Sequence, residues 1–123
     1  MKFTVFEEID STNDYLRKNH KIEEFEVIIA KRQTAGKGKR GRVWISDEGA
    51  ALFSFSVKDK ENLQEKITIF SGYTVYQILK KYIDENLKND DFSENLKFKW
   101  PNDIYYEDKK ICGILCEKIR ENL

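Results

Sequence analysis

The sequence predicts an α/β (α+β) chain: a mixed, largely antiparallel sheet with helices packed on it. Three observations carry this. Short β-branched or aromatic runs recur, such as Glu26-Val27-Ile28-Ile29-Ala30-Lys31. One long stretch, from about Asn62 to Leu87, repeats apolar residues at helical spacing. After it, short apolar runs return between turn residues, so the elements read β-α-β-β-α-β-β-β.

Taken in order, residues 2–7 alternate Phe3 and Val5 against Lys2 and Thr4, a strand. Asp10-Ser11-Thr12-Asn13-Asp14 starts a helix, with Ser11 and Asp14 spaced as a capping box, and Tyr15 and Leu16 open its apolar face toward about His20. Residues 26–31 form the second strand. Thr34 to Val43 favours neither period. Ala50 to Val57 resumes strand character, with Leu52 alone breaking the alternation. In the long helix Ile67, Phe70, Val75, Ile78, Leu79, Tyr82 and Ile83 recur on one side, and Gly72 is its weak point. Asn89-Asp90-Asp91 reads as a turn. Leu96 to Trp100, Ile104 to Tyr106 and Lys110 to Ile119 read as strands, the last two as a hairpin turning at Glu107-Asp108-Lys109.

The 123 residues are enough for one domain, and a hydrophobic fraction of 40% is too high for a disordered chain. Basic and acidic side chains number 22 each, which argues against a surface wholly given to nucleic acid. No run reaches the roughly 18–20 apolar residues of a membrane span, and the start is not read as a signal peptide. Cys112 and Cys116, placed on one strand about 13 Å apart, are too distant for a disulfide. Both are expected reduced, in a cytoplasmic protein.

Between Val27 and Ser46 there is no acidic residue, yet Lys31, Arg32, Lys37, Lys39, Arg40 and Arg42 lie there, interleaved with Gly36, Gly38 and Gly41. Glycines let backbone N–H groups approach an anion, and clustered cations suit a ligand bearing several negative charges. The Walker pattern fails because Arg42-Val43 follows Gly41. Gly36-x-Gly38-x-x-Gly41 satisfies the dinucleotide fingerprint, but Val43 to Gly49 is not a helix start, as that motif requires. A solvated surface loop, a nucleic-acid loop and a small-molecule phosphate site stay open at this point.

Lys99-Trp100-Pro101-Asn102-Asp103 sets a cation, a rigid turn and a carboxylate at a strand end. Asp103 could hold Mg²⁺, which takes one or two carboxylates beside substrate phosphates. Lys110 opens the returning strand, so Lys99 and Lys110 could face one anion from two arms. Gly113 interrupts the apolar strand and could admit a ligand. Read alone, the segment is a hairpin turn with a bulge.

Together, Ser11-Thr12-Asn13, Gln33-Thr34-Ala35-Gly36-Lys37-Gly38-Lys39-Arg40-Gly41-Arg42-x-Trp44, Lys99-Trp100-Pro101-Asn102-Asp103 and Lys110-x-x-Gly113-Ile114-Leu115 resemble the biotin–protein ligases, in order and across nearly the whole chain. The resemblance implies a class II aminoacyl-tRNA synthetase/biotin ligase-like fold. It also implies a two-step reaction: biotin and ATP give biotinyl-5′-AMP, and the biotinyl group passes to a lysine of a biotin carboxyl carrier protein. Joining a carboxylate to a phosphate is chiefly charge neutralisation and positioning. By similarity Ser11, Thr12, Asn13 and Gln33 line the biotin head, with Gly113 offering backbone. Gly36, Lys37 and Lys39 close over the phosphate. Lys110 bridges biotin carboxyl and α-phosphate. Lys99, Asn102 and Asp103 serve ATP and Mg²⁺, with Arg40 and Arg42 on the ATP side, while Trp44 packs on the folded loop. Lys110, Lys39 and Asp103 are the residues assigned to catalysis. Loop 34–43 is expected to be mobile without ligand and ordered with it.

Two departures stand out. Lys37 and Lys39 replace the family's usual arginines and lose the bidentate fork, so a looser grip on the adenylate is expected. The chain also ends soon after Gly113-Ile114-Leu115, which reads as a partial catalytic domain, 1–123, without the later strands, helices and C-terminal β-barrel, and without an N-terminal DNA-binding domain. No membrane and no nucleic-acid partner are expected, and a homodimer through the sheet is allowed. The rivals are a lipoate ligase or octanoyltransferase-like acyltransferase, and a non-enzymatic anion or nucleic-acid binder using residues 31–42. The acyltransferase signature, a glycine triplet followed by histidine, is absent: His20 precedes the loop.

Overall fold

A computed structural model describes residues 1–19, 25–58 and 64–119. His20 and the expected helix start at Asn62 lie outside these. The chain divides into two compact units, Met1–Lys60 with Glu117–Leu123, and Glu61–Cys116. Each is described in turn.

In the first unit, strands β1 (Lys2–Ile9), β2 (Glu26–Gln33) and β3 (Leu52–Phe55) form a sheet in that order, with helix α1 (Thr12–Lys18) between the first two. β1 and β2 run parallel, and β3 is antiparallel to β2. One sheet face carries Phe6, Ile28, Ala30, Leu52 and Ser54, and Phe6 packs on Tyr15 of α1 at 5.1 Å between ring centres. Leu52, the residue that breaks the sequence alternation, is therefore the buried one, while Phe53 and Phe55 point outward. Pairing with β2 decides this, because Leu52 lies opposite Ala30 and Phe53 opposite Ile29.

Only half of the expected capping box forms. Ser11 Oγ accepts from Asp14 N at 3.2 Å, but Asp10 Oδ1, not Asp14, accepts from Ser11 N at 2.7 Å. Past the strand ends the backbone stays stitched, with Thr34 N to Ile9 O at 2.9 Å and Ala35 N to Asp10 O at 2.8 Å. These two bonds hold the start of α1 beside the entry to the glycine loop.

In the second unit, helix α2 (Gln64–Tyr82) runs into a wider π turn at Ile83–Leu87, and Lys88 turns left-handed. The expected turn at 89–91 is instead the start of helix α3 (Asp90–Glu94). Asn89 caps it by accepting from Phe92 N at 3.1 Å, and Asp90 and Asp91 suit its first turn. Strands β4 (Leu96–Lys99), β5 (Asp103–Tyr106) and β6 (Lys109–Gly113) then form an antiparallel meander. Ile83, Leu96 and Ile104 are its buried core, with Val75, Tyr76, Leu79, Phe92, Phe98 and Cys112 packed around them.

Gly72 is not a weak point of α2. A Cβ there would lie 2.8 Å from Phe98 Cε2 and 3.0 Å from the carbonyl oxygen of Pro101, so hydrogen is what lets the helix approach the sheet. The last strand stops at Gly113 rather than Ile119. Beyond it, Asn102 takes the place of a strand partner: its Nδ2 donates to Ile114 O at 2.8 Å and its own carbonyl accepts from Ile114 N at 3.1 Å. Cys116 thus lies outside the strand, and both cysteines are unpaired. The mixed, largely antiparallel character is as read, carried by two three-stranded sheets.

Candidate functional site

In the first unit a polar cluster sits where β2 ends and α1 begins. Gln33 Oε1 accepts from Thr12 N at 2.8 Å and from Thr12 Oγ1 at 3.0 Å. Thr12 Oγ1 also lies 2.7 Å from the buried Ser54 Oγ, and that hydroxyl stands against Asn13 Oδ1. Asn13 Nδ2 donates to Glu117 Oε1 at 3.1 Å. Ser11, Thr12 and Ser54 are all buried. The structure thus brings together Ser11, Thr12, Asn13 and Gln33, and adds Ser54 and Glu117, which sequence reasoning missed. A period-2 reading of β3 starting from Leu52 would have placed Ser54 on the inner face. No local signal marks Glu117.

The glycine loop starts three residues after Gln33. Trp44 N donates to Gly36 O at 2.8 Å, Gly38 N to Arg42 O at 2.7 Å, and Lys37 bridges Val43. A 3₁₀ turn at Lys39–Gly41 forms the tip, with Arg40 left-handed at φ 57° and Gly41 at φ 74°. Gly36 is required for a different reason. A Cβ there would meet Gln33 Nε2 and Trp44 O, each at 2.8 Å. Trp44 ties the two arms of the loop through its backbone N–H on Gly36. As expected, no helix follows Gly41 directly.

The six cations do not form one cluster. Lys31 pairs with Glu7 at 2.8 Å and Arg32 with Glu8, so both belong to the β1–β2 sheet. Lys37 pairs with Asp14 at 2.8 Å. Lys39, Arg40 and Arg42 are exposed and make no ion pair among the described residues. The usable positive charge of this segment is therefore narrower than its composition suggests.

In the second unit Lys110 Nζ lies 3.0 Å from Asp103 Oδ1. A bulge creates this pair. Asp103 faces Gly113 and Ile104 faces Cys112, but Tyr105 then faces Lys110, leaving Ile111 as the extra residue in β6. Without the bulge Ile111 would sit opposite Tyr105, and Lys110 would turn to the core face. With it, Lys99, Asp103, Lys110 and Gly113 share one face of the sheet. Lys99 does not aim at Lys110's partner; its ammonium lies over the Tyr105 ring, 5.1 Å from the centre. Asn102 is buried and committed to Ile114, so it shapes the turn in which the Trp100–Pro101 bond is cis.

Asp103 Oδ1 is buried and accepts no hydrogen bond among the described residues. Burial, and secondarily the Asp103 charge, push the Cys112 thiol up. Among the described residues no three His, Cys, Asp or Glu side chains gather as metal ligands, so Asp103 is a lone carboxylate. No helix among them is long and apolar enough to cross a membrane.

Comparison with known proteins agrees with these motifs. Residues 5–123 match the model of the "Biotin/lipoate A/B protein ligase family". The chain is 32% identical over 113 residues to the bifunctional ligase/repressor BirA of Escherichia coli, covering 89% of the chain and 32% of that relative. It is 37% identical over 94 residues to the human biotin–protein ligase, covering 72% of the chain and 12% of the relative. Among solved structures, the Aquifex aeolicus biotin protein ligase in complex with biotin and ATP matches with TM-score 0.78 and 31% identity over 98% of this chain and 48% of its own. The Leishmania major ligase in complex with biotinyl-5-AMP matches with TM-score 0.80 and 28% identity over 95% and 52%. The chain thus spans about half the length of the solved relatives, and it belongs to the biotin/lipoate A/B protein ligase family.

Proposed function

We propose that the chain is the N-terminal part of a biotin–protein ligase catalytic domain, acting in formation of biotinyl-5′-AMP and transfer of biotin to a lysine of a biotin carboxyl carrier protein. One observation carries the reading. The Thr12–Gln33–Ser54–Asn13 cluster, rich in both donors and acceptors, runs directly into a cationic glycine loop. That pairing suits a ligand with an uncharged ureido head and an anionic phosphate. The solved relatives bound to biotin, ATP or biotinyl-5-AMP support it.

In the first step the biotin carboxylate attacks the α-phosphorus and pyrophosphate leaves. In the second the carrier lysine attacks the acyl carbon and AMP leaves. Ser11, Thr12, Asn13 and Gln33 orient the head, with Gly113 as backbone contact. Gly36, Lys37 and Lys39 cover the phosphate, and Arg40, Arg42 and Lys99 offset ATP charge. Trp44 holds the loop closed over the mixed anhydride and keeps water out. Lys110 neutralises the carboxylate and α-phosphate, and Asn102 shapes the turn that presents Asp103. A lone carboxylate suffices for Mg²⁺ when substrate phosphates supply the other oxygens. Asp103 would hold that ion, which would neutralise phosphate charge.

Two unpaired cysteines support a reducing compartment, the cytoplasm; a homodimer stays open as the assembly. The lipoate-type reading lacks its glycine-triplet and histidine signature. A polyanion binder loses support because Lys31 and Arg32 are already paired within the β1–β2 sheet. Calorimetry with a non-hydrolysable biotinyl-adenylate analogue tests the proposal. Saturable binding of the analogue is expected, and heat from polyanions alone with none from the analogue overturns it. Lys110→Ala should abolish biotin-dependent pyrophosphate release while the fold persists.

A further inference from the structure

Glu117 meets α1 with both carboxylate oxygens. Oε1 accepts from Asn13 Nδ2 at 3.1 Å, and Oε2 pairs with Arg17 Nη2. A carboxylate only accepts, whereas an amide accepts at one end and donates at the other. Asn13 therefore gives its nitrogen to Glu117, and its Oδ1 stands against Ser54 Oγ. Further in, four oxygens follow one another: Asn13 Oδ1, Ser54 Oγ, Thr12 Oγ1 and Gln33 Oε1. Only the two hydroxyls in the middle carry protons, so the run begins and ends in a carbonyl acceptor. N–H donors complete such a run; a further acceptor would be repelled. A reversed Asn13 would bring Nδ2 to Ser54 as an extra donor and close the run on itself.

We propose that Glu117 is a positioning residue that fixes the Asn13 amide with its oxygen toward Ser54, so that the cluster reads the N–H edges of a cyclic urea. Glu117 acts through Asn13, and Arg17 occupies its second oxygen. The isosteric change Glu117→Gln makes the point. Glutamine offers one acceptor oxygen to two donors. Arg17, which can only donate, takes that oxygen, and the glutamine nitrogen turns Asn13 round. The acceptor end of the cluster then becomes a donor end, the wrong polarity for a ureido N–H. The ligand part of this inference rests on the function proposed above, but the amide orientation does not.

The test combines NMR of the Asn13 side-chain amide with biotin calorimetry. In the wild type the Nδ2 protons should show Overhauser contacts to the Glu117 methylenes, and in Glu117→Gln to the Ser54 β protons. Amide contacts that stay the same overturn the assignment. Biotin affinity should fall about tenfold in Glu117→Gln, the effect of one mispaired polar group. In the double variant Asn13→Asp/Glu117→Gln, the new nitrogen donates to a side chain that presents only oxygens. Affinity should then return to within about threefold of wild type. A double variant as weak as Glu117→Gln overturns the proposal, because it marks Glu117 as a mere anchor for Arg17. A wild-type chain that binds no biotin would remove the proposed function and leave the amide contacts to decide the orientation.

Discussion

Lys110 reaches Asp103 because the pairing of its strand skips Ile111. The ammonium and Oδ1 stand 3.0 Å apart on one sheet face, and the register that puts them there shifts between Ile104 and Tyr105. Deleting Ile111 should restore regular pairing and leave Lys110 opposite Tyr105, on the face of Asp103. Biotin-dependent pyrophosphate release should therefore fall by less than about tenfold, against its abolition in Lys110→Ala. Structure determination of the variant should show Lys110 still beside Asp103, and a Lys110 turned to the core face would refute the register of the bulge.

Gly72→Ala separates helix propensity from packing. Alanine favours an exposed helix by up to about 1 kcal/mol. The methyl would meet Phe98 and the Pro101 carbonyl, and overpacking of that kind costs about 1–3 kcal/mol. Net destabilisation in urea is expected. A stabilised variant would show that α2 does not approach the sheet so closely.

Ser54→Ala removes a buried hydroxyl between Thr12 and Asn13. A loss of about 1–2 kcal/mol is expected from the broken bond and the Asn13 oxygen left behind. Analogue affinity should fall as well. Denaturant titration and calorimetry check the two effects separately.

Tyr106 donates to Asp91 Oδ2 at 2.7 Å, and that bond to a carboxylate pushes the phenol up to about 12. Its contribution is complete below pH 10, the ordinary value, and is lost as pH rises through about 12, because the unfolded chain gives up the proton first. In Asp91→Asn the phenol should return toward its ordinary value, and NMR titration of the ring would show it. An unchanged midpoint would mean that Asp91 is not the cause.

Much of the architecture was legible in residues alone. The alternation of Phe3 and Val5, the Ser11 cap and the helical spacing from Ile67 to Ile83 are local signals, and each named its element. Asn89-Asp90-Asp91 was misread because the same residue types serve turns and helix starts, and only the following Phe92 N–H tells them apart. The strand expected to reach Ile119 stops at Gly113 because Asn102 claims Ile114, twelve residues further on.

The candidate site divides the same way. Gln33, the glycine run and Lys-Trp-Pro-Asn-Asp were readable because chemistry restricts which residues can stand there. Composition could not say that Lys31 and Arg32 answer to Glu7 and Glu8, that Lys37 answers to Asp14, or that Ser54 completes the Thr12 cluster. Sequence by itself determined the elements, the motifs and the kind of ligand they suit, since those follow from neighbours in the chain. Tertiary structure decided which charges are spent and which side chains share a face, because partners far apart in sequence meet only once strand register is set.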